Sequence, residues 1–180
     1  PAPFLLILVP SAPSHLEQRL AVRDTWGGPW QGSETPKTRT IFVLGIPPEP
    51  PAQRELLLES RQHRDMLQGD FGDSYANLTL KTLLLLRWAR SCCGGAEFVL
   101  KADDDVVHWG VAPNRDPRSR HHVPEGLYGA PRFPPYCSGT AYVLSRQAVL
   151  AILGAAPGVP RVAPEDVWVG LCARRAGVAA

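Results

Sequence analysis

The sequence has no apolar stretch near the roughly 18 to 20 residues that a membrane-spanning helix requires. Its longest, FLLILV at Phe4 to Val9, has the length of a strand. The chain begins without Met, so a preceding anchor or signal is not excluded. An excess of one charge is also missing. The formal net charge is +2 and the basic residues are scattered, except in RDPRSRHH from Arg115 to His122, which gives no footprint for nucleic acid. The four cysteines, Cys92, Cys93, Cys137 and Cys172, form no CxxC pair and have no zinc-finger histidine spacing, which argues against a structural zinc site. Internal repeats are absent. No Ser-His-Asp or Cys-His spacing marks a side-chain nucleophile.

What is present suits one α/β domain over residues 1–180: the length and a hydrophobic content of 44% allow a proper core. Nineteen prolines and sixteen glycines fall between periodic segments and mark long connections. Phe4 to Val9 reads as a buried strand stopped by Pro10-Ser11-Ala12-Pro13. Ser14 is placed to cap a helix with Leu16, Leu20, Val22 and Trp26 near its inner face, ended by Gly27-Gly28. Thr40 to Gly45 reads as a second strand and Gln53 to Arg64 as a polar helix. Asp73 or Ser74 opens an apolar helix to Arg90, and Glu97 to Leu100 forms the next strand. Thr140 to Ser145 alternates like a strand, with Ser145 capping a helix through Leu153. Pro164 opens a last helix that Gly177 closes.

The predicted order up to Leu100 is β-α-β-α-α-β. It implies a mainly parallel sheet with helices on its faces and a ligand crevice beyond the carboxyl ends of the strands. FVLKADDDVVH, residues 98–108, empties a buried strand into Asp103, Asp104 and Asp105 at such an end. Three adjacent carboxylates repel, and a bound cation, a solvated turn or a helix N-terminus would each relieve them. Hard oxygen ligands suit Mg²⁺ or Mn²⁺ with a phosphate-bearing substrate. Asp103 and Asp105 can point one way in an extended turn while Asp104 faces elsewhere, toward sugar or backbone donors. Glu165 and Asp166, in the first turn of the last helix, stabilise its macrodipole or serve a reaction.

Several ordered blocks carry a resemblance. RLAVRDTWG from Arg19, FVLG from Phe42, DFGDSYANLTLKT from Asp70, FVLKADDDV from Phe98, PPYCSGTAYVLS from Pro134 and EDVWVGLC from Glu165 resemble the β1,3-glycosyltransferases of the galactosyltransferase type. CSGT followed by EDVWVGLC leans toward the β1,3-galactosyltransferase branch. VHWGVAPNRDPRSRHHV with ARRAG is most similar to the ganglioside-type enzyme. The resemblance implies a GT-A nucleotide-sugar fold, inverting transfer from UDP-galactose to an acceptor glycan, Mn²⁺ as bridging cation, and a type II topology with the catalytic domain in the Golgi lumen. Asp103 to Asp105 fill the DxD position, with Asp103 and Asp105 as metal ligands and Asp104 on the donor. Arg19, Arg23, Asp73, Lys81, Lys101 and Glu165 fall in donor or positioning blocks. Asp166 takes the catalytic-base position.

Two departures from the family pattern stand out. A longer stretch, including a helix, normally separates the metal motif from PPYC, so a segment is expected to be missing after Asp105 or Val106. The family also continues beyond EDVWVGLCARRAG. An oxidising lumen would join Cys137 to Cys172, against the alternative of two buried thiols, and would make Asn77-Leu78-Thr79 a glycosylation sequon. The competing functions are a β1,3-N-acetylglucosaminyl or N-acetylgalactosaminyl transferase, and a sugar-binding or assembly subunit without turnover.

Overall fold

The computed structural model describes residues 2–28, 38–104, 113–119, 122–131, 140–162 and 164–178. In chain order these form β1 (Leu5–Pro10), α1 (Leu16–Asp24), β2 (Thr38–Ile46), α2 (Pro50–His63), β3 (Met66–Gly72), α3 (Leu78–Cys92), β4 (Phe98–Ala102), β5 (Ala141–Ser145), α4 (Arg146–Ala155) and α5 (Glu165–Arg175). Short 3₁₀ turns at Tyr75–Asn77 and Ala156–Gly158 lead into α3 and out of α4. The strands pair in the order β3-β2-β1-β4-β5. All neighbours are parallel except β4 and β5, which are antiparallel.

The unbroken apolar run in β1 follows from burial on both faces. Leu6 and Leu8 join the larger core, with Ile41, Val43 and Val99 from the sheet and Leu85, Val149 and Trp168 from α3, α4 and α5. Ile7 and Val9 point the other way, into a smaller core with Phe42, Leu44, Val22 of α1 and Leu56 of α2. A strand covered on both sides has no polar face to show, so it does not alternate.

The expected α/β architecture is present, with two local differences. β3 is an additional strand. It lies at the sheet edge, bonded to β2 alone with a register irregularity between Leu44 and Ile46, and Gln68, Gly69 and Asp70 obscure its pattern. At α1, His15 and not Ser14 occupies the N-cap position, and it makes no side-chain cap. Leu16 and Trp26, expected on the inner face, are exposed, while Arg19 is buried. The later caps agree with the reading: the Ala148 N–H donates to Ser145 Oγ at 3.2 Å, and Gly177 takes φ +71° after α5. Ser145→Ala should lower stability by about 1 kcal/mol, with the urea midpoint shifted and the m-value unchanged.

Candidate active site

The sheet order creates the site. From β1 the chain builds outward through β2 to β3, then returns to place β4 on the other side of β1. The connections leaving β1 and β4 therefore diverge, opening a crevice at their carboxyl ends. A cleft of 760 Å³ lies there, lined by Ser11 to His15 after β1, Pro47 to Glu49 after β2, Asp73 to Tyr75 before α3, Lys81, and Asp103 and Asp104 after β4.

A hydrogen bond bridges the divergence. Ser11 Oγ donates to Asp104 Oδ2 at 2.6 Å, and His15 Nδ1 lies 3.0 Å from the same oxygen. Asp104 is thereby fixed from the β1 side. Ser11 Oγ in turn accepts from Arg19 Nη1 at 3.1 Å, and Arg19 also donates to the carbonyl oxygens of Ala12 and Pro13. Arg19 is 1% exposed and its guanidinium pairs with Glu59 through two bonds of 2.8 and 2.7 Å. Arg23 pairs with Asp65 and Glu59 and stacks over Phe42, 4.7 Å from the ring centroid. Both arginines, expected in a donor block, pair with Glu59 of α2 and with Asp65 just before β3, and neither lines the cleft. Arg19 reaches the cleft only through Ser11 and the loop it holds.

Asp73 and Lys81 do line the cleft together, as a pair at 2.9 Å. Asp73 Oδ2 also accepts from the Gly45 N–H at 2.6 Å, and Lys81 Nζ donates to the Ser11 carbonyl at 2.8 Å. Gly45 is required by this approach, because a Cβ there would lie 2.7 Å from the Phe71 carbonyl oxygen and 2.9 Å from the Asp73 nitrogen. Asp103 is the most open of these carboxylates, with its side chain 32% exposed. Lys101 Nζ donates to its Oδ1.

Behind Asp103 lies a buried polar cluster. Lys101 Nζ is 2.9 Å from Glu165 Oε1, while Thr82 Oγ1 and Tyr142 Oη donate to Glu165 Oε2 at 2.9 and 3.2 Å. Burial would depress the Lys101 ammonium, but Glu165 and Asp103 outweigh it and hold the pKa above its ordinary value, so Lys101 stays charged. Burial first, and then the negative charges of Glu165, Asp103 and Asp166, push the Tyr142 phenol well above the usual range. Glu165 is thus turned inward. Asp166, the next residue, is half-buried, and its Oδ1 accepts from the Val167 N–H at 2.8 Å. The two acids occupy different sides of one helix end, as adjacent helical residues must.

The remaining expected sites are less central. Asp105 and Cys137 lie outside the described residues. Cys172 carries a fully buried thiol in the core around Trp168; burial pushes its pKa up to about 12, and the expected bridge to Cys137 falls on a residue outside those described. Asn77 donates to the Gly72 carbonyl at 2.8 Å, and the buried Thr79 hydroxyl donates to Val162. Ser11, His15, Glu59, Thr82 and Tyr142 were not singled out from sequence. Their partners are distant in the chain, so no local spacing announces them.

The carboxylates at the cleft suit a hard divalent cation, because such ions usually take one or two protein carboxylates and complete their shell with phosphate and water oxygens. Among the described residues no group of three or more metal-ligating side chains is gathered. No described helix is long and apolar enough to cross a membrane.

The profile of the Galactosyltransferase family matches residues 17–110 and 109–180. The chain is 40% identical to mouse beta-1,3-galactosyltransferase 4 over 231 residues, covering 99% of this chain and 62% of that protein. Against its human counterpart the identity is 39% over 238 residues, with 98% and 62% covered. Mouse N-acetyllactosaminide beta-1,3-N-acetylglucosaminyltransferase 4 is 37% identical over 200 residues, with 97% and 57% covered. The chain thus spans about 60% of the length of these relatives. Sheet, crevice and matches together define the class as the GT-A type of glycosyltransferase fold. Within that class, the chain belongs to the galactosyltransferase family.

Proposed function

We propose that this chain carries an inverting β1,3-galactosyltransferase site, which moves galactose from UDP-galactose to a terminal sugar of an acceptor glycan, of the ganglioside glycolipid type. The observation that carries the reading is the cleft at the β1/β4 divergence. Its carboxylate wall is tied through Lys101 and Glu165 to the helix end that bears Asp166. The likeness to beta-1,3-galactosyltransferase 4 supports the choice of donor.

Asp103 and Asp105 would hold Mn²⁺, which when bound supplies Lewis-acid neutralisation of the charge that develops on the diphosphate. Asp104, fixed by Ser11 and His15, and the Asp73–Lys81 pair shape the donor side. On the acceptor side the Asp166 carboxylate takes the proton of the attacking hydroxyl. The hydroxyl oxygen bonds to the anomeric carbon from the face opposite the diphosphate, the bond from that carbon to the diphosphate oxygen breaks, and the configuration inverts in a single displacement. No side-chain nucleophile is required. The lumenal Golgi location, a membrane anchor outside these residues and glycosylation of Asn77 belong to the same proposal. The two family-profile segments meet at residues 109 and 110, and the 231-residue alignment exceeds the 180 residues of this chain. Both observations support a stretch, present in relatives, that is absent here after Asp105 or Val106.

The relatives named as N-acetylglucosaminyltransferases favour a second reading, with the same cleft serving UDP-N-acetylglucosamine. Offering the UDP-sugars at equal concentration separates the two: galactose should be transferred fastest. Asp103→Asn and Asp105→Asn should each weaken Mn²⁺-dependent UDP binding, by roughly tenfold or more given the charge removed. UDP binding that is unaffected by a chelator and by both substitutions contradicts the metal assignment.

A further inference from the structure

His15 enters the cleft wall with one ring nitrogen already committed. Its side chain is 31% exposed and lines the cleft, and its Nδ1 lies 3.0 Å from Asp104 Oδ2. A carboxylate oxygen only accepts, so the proton between them sits on Nδ1. The ring sets its two nitrogens at a wide angle, so Nε2 points away from Asp104, and it has no hydrogen-bond partner among the described residues. The support behind the ring is rigid. All five N–H groups of the buried Arg19 are used, two on Glu59 and one each on Ser11 Oγ and the carbonyl oxygens of Ala12 and Pro13. Ser11 Oγ accepts from Arg19 and so turns its own hydrogen to Asp104 Oδ2. The backbone N–H of His15 donates to the Ala12 carbonyl of the same loop at 3.0 Å. The imidazole is thereby held through side chain and backbone, with one edge left for a ligand.

From this geometry we infer that His15 is a ligand-contacting residue of the cleft, whose Nε2 hydrogen-bonds a hydroxyl on one of the two sugar rings of a nucleotide sugar. The inference rests on the donor site proposed above. A hydroxyl is the matching group because it both donates and accepts. It pairs with Nε2 whether that nitrogen carries a lone pair or a proton, whereas an imide N–H suits only the lone pair and a phosphate oxygen only the proton. Ribose and hexose each offer such hydroxyls. A ligand without the contacted hydroxyl leaves the fixed nitrogen unpaired, so the contact discriminates between ligands as well as binding them. A purely structural residue would not. His15 holds the N-cap position of α1 without capping it through its side chain, and a general disturbance of that helix end would weaken all ligands alike.

The test is calorimetric titration of the full chain, wild type and His15→Asn, with UDP, 2′-deoxy-UDP, 3′-deoxy-UDP and UDP-galactose at one saturating Mn²⁺ concentration, with thermal unfolding recorded alongside. The asparagine amide keeps an N–H near the Nδ1 position, toward Asp104, and is favoured at an N-cap, but it does not extend to where Nε2 lies. The substitution should weaken binding by roughly three- to tenfold, the scale of one net hydrogen bond, and only for ligands that carry the contacted hydroxyl. A ribose contact shows as a loss for UDP and UDP-galactose that vanishes for one of the deoxy nucleotides. A hexose contact shows as a loss for UDP-galactose alone. Should His15→Asn fail to fold, His15→Ala is read in the same way. An equal loss for all four ligands, or a loss for none, overturns the inference while leaving the donor site standing. A wild-type chain that binds none of the four overturns the donor-site reading and the inference with it.

Discussion

Asp166→Asn is expected to fold, to bind UDP with Mn²⁺ as the wild type does, and to lose transfer by about 10² to 10⁴ in kcat, the usual contribution of a general base. The amide keeps the size of the carboxylate but cannot take a proton from the acceptor hydroxyl. The bond from the Val167 N–H to Asp166 Oδ1 can be kept by the amide oxygen, so the helix end should survive. Losing a charge from a helix first turn costs only roughly 0.3 to 1 kcal/mol. Glu165→Gln should retain more turnover at saturating Mn²⁺, because Glu165 is buried against Lys101, Thr82 and Tyr142 and does not meet substrate. Steady-state kinetics with UDP titration on the same preparations separates loss of chemistry from loss of binding. Near-normal turnover in Asp166→Asn would return both acids to a purely helix-stabilising role.

Glu59→Ala should be the most damaging substitution for stability, by about 3 to 5 kcal/mol, because it leaves the buried Arg19 guanidinium without its counter-charge. Glu59 is 8% exposed and receives both Arg19 and Arg23. Burial alone would raise its pKa, but hydrogen bonds and charge from Arg19 and then Arg23 outweigh that and hold it below its ordinary value of 4.5. A carboxyl whose pKa is lowered on folding contributes stability that is full above the unfolded value and is lost as pH falls through the folded value. The wild type should therefore lose this contribution on the acid side of pH 4.5. Urea unfolding of wild type and Glu59→Ala at neutral pH, and of the wild type down this acid range, measures both effects. A cost below 1 kcal/mol at neutral pH would show that the network is not the brace described here.

That network also shows where reading from sequence stops. β1, the Ser145 cap and the Pro164 and Gly177 limits of α5 are legible because each is set within a few residues by apolar run length, a capping hydroxyl or backbone geometry. The position of Asp103 at a strand end is legible for the same reason. Arg19 is not, because a helical pattern files arginine on the wet face and its partner, Glu59, lies 40 residues away. The contacts of Glu165 with Thr82 and Tyr142 span 83 and 23 residues, and only the packing of α5 against α3, beside the strand that carries Tyr142, creates them. β3 is hidden by its edge position, where one neighbour suffices and Gln68 and Asp70 are tolerated in the strand.

The measurement that bears most directly on the central claim is product analysis after incubation with UDP-galactose, Mn²⁺ and a panel of glycolipid and glycoprotein acceptor termini. Mass and NMR linkage analysis should find one added galactose, β-linked to the 3-hydroxyl, with one UDP released for each sugar transferred and none of this product from Asp166→Asn. UDP bound in an Mn²⁺-dependent manner with no transfer to any acceptor, or a product of retained anomeric configuration, would contradict the account.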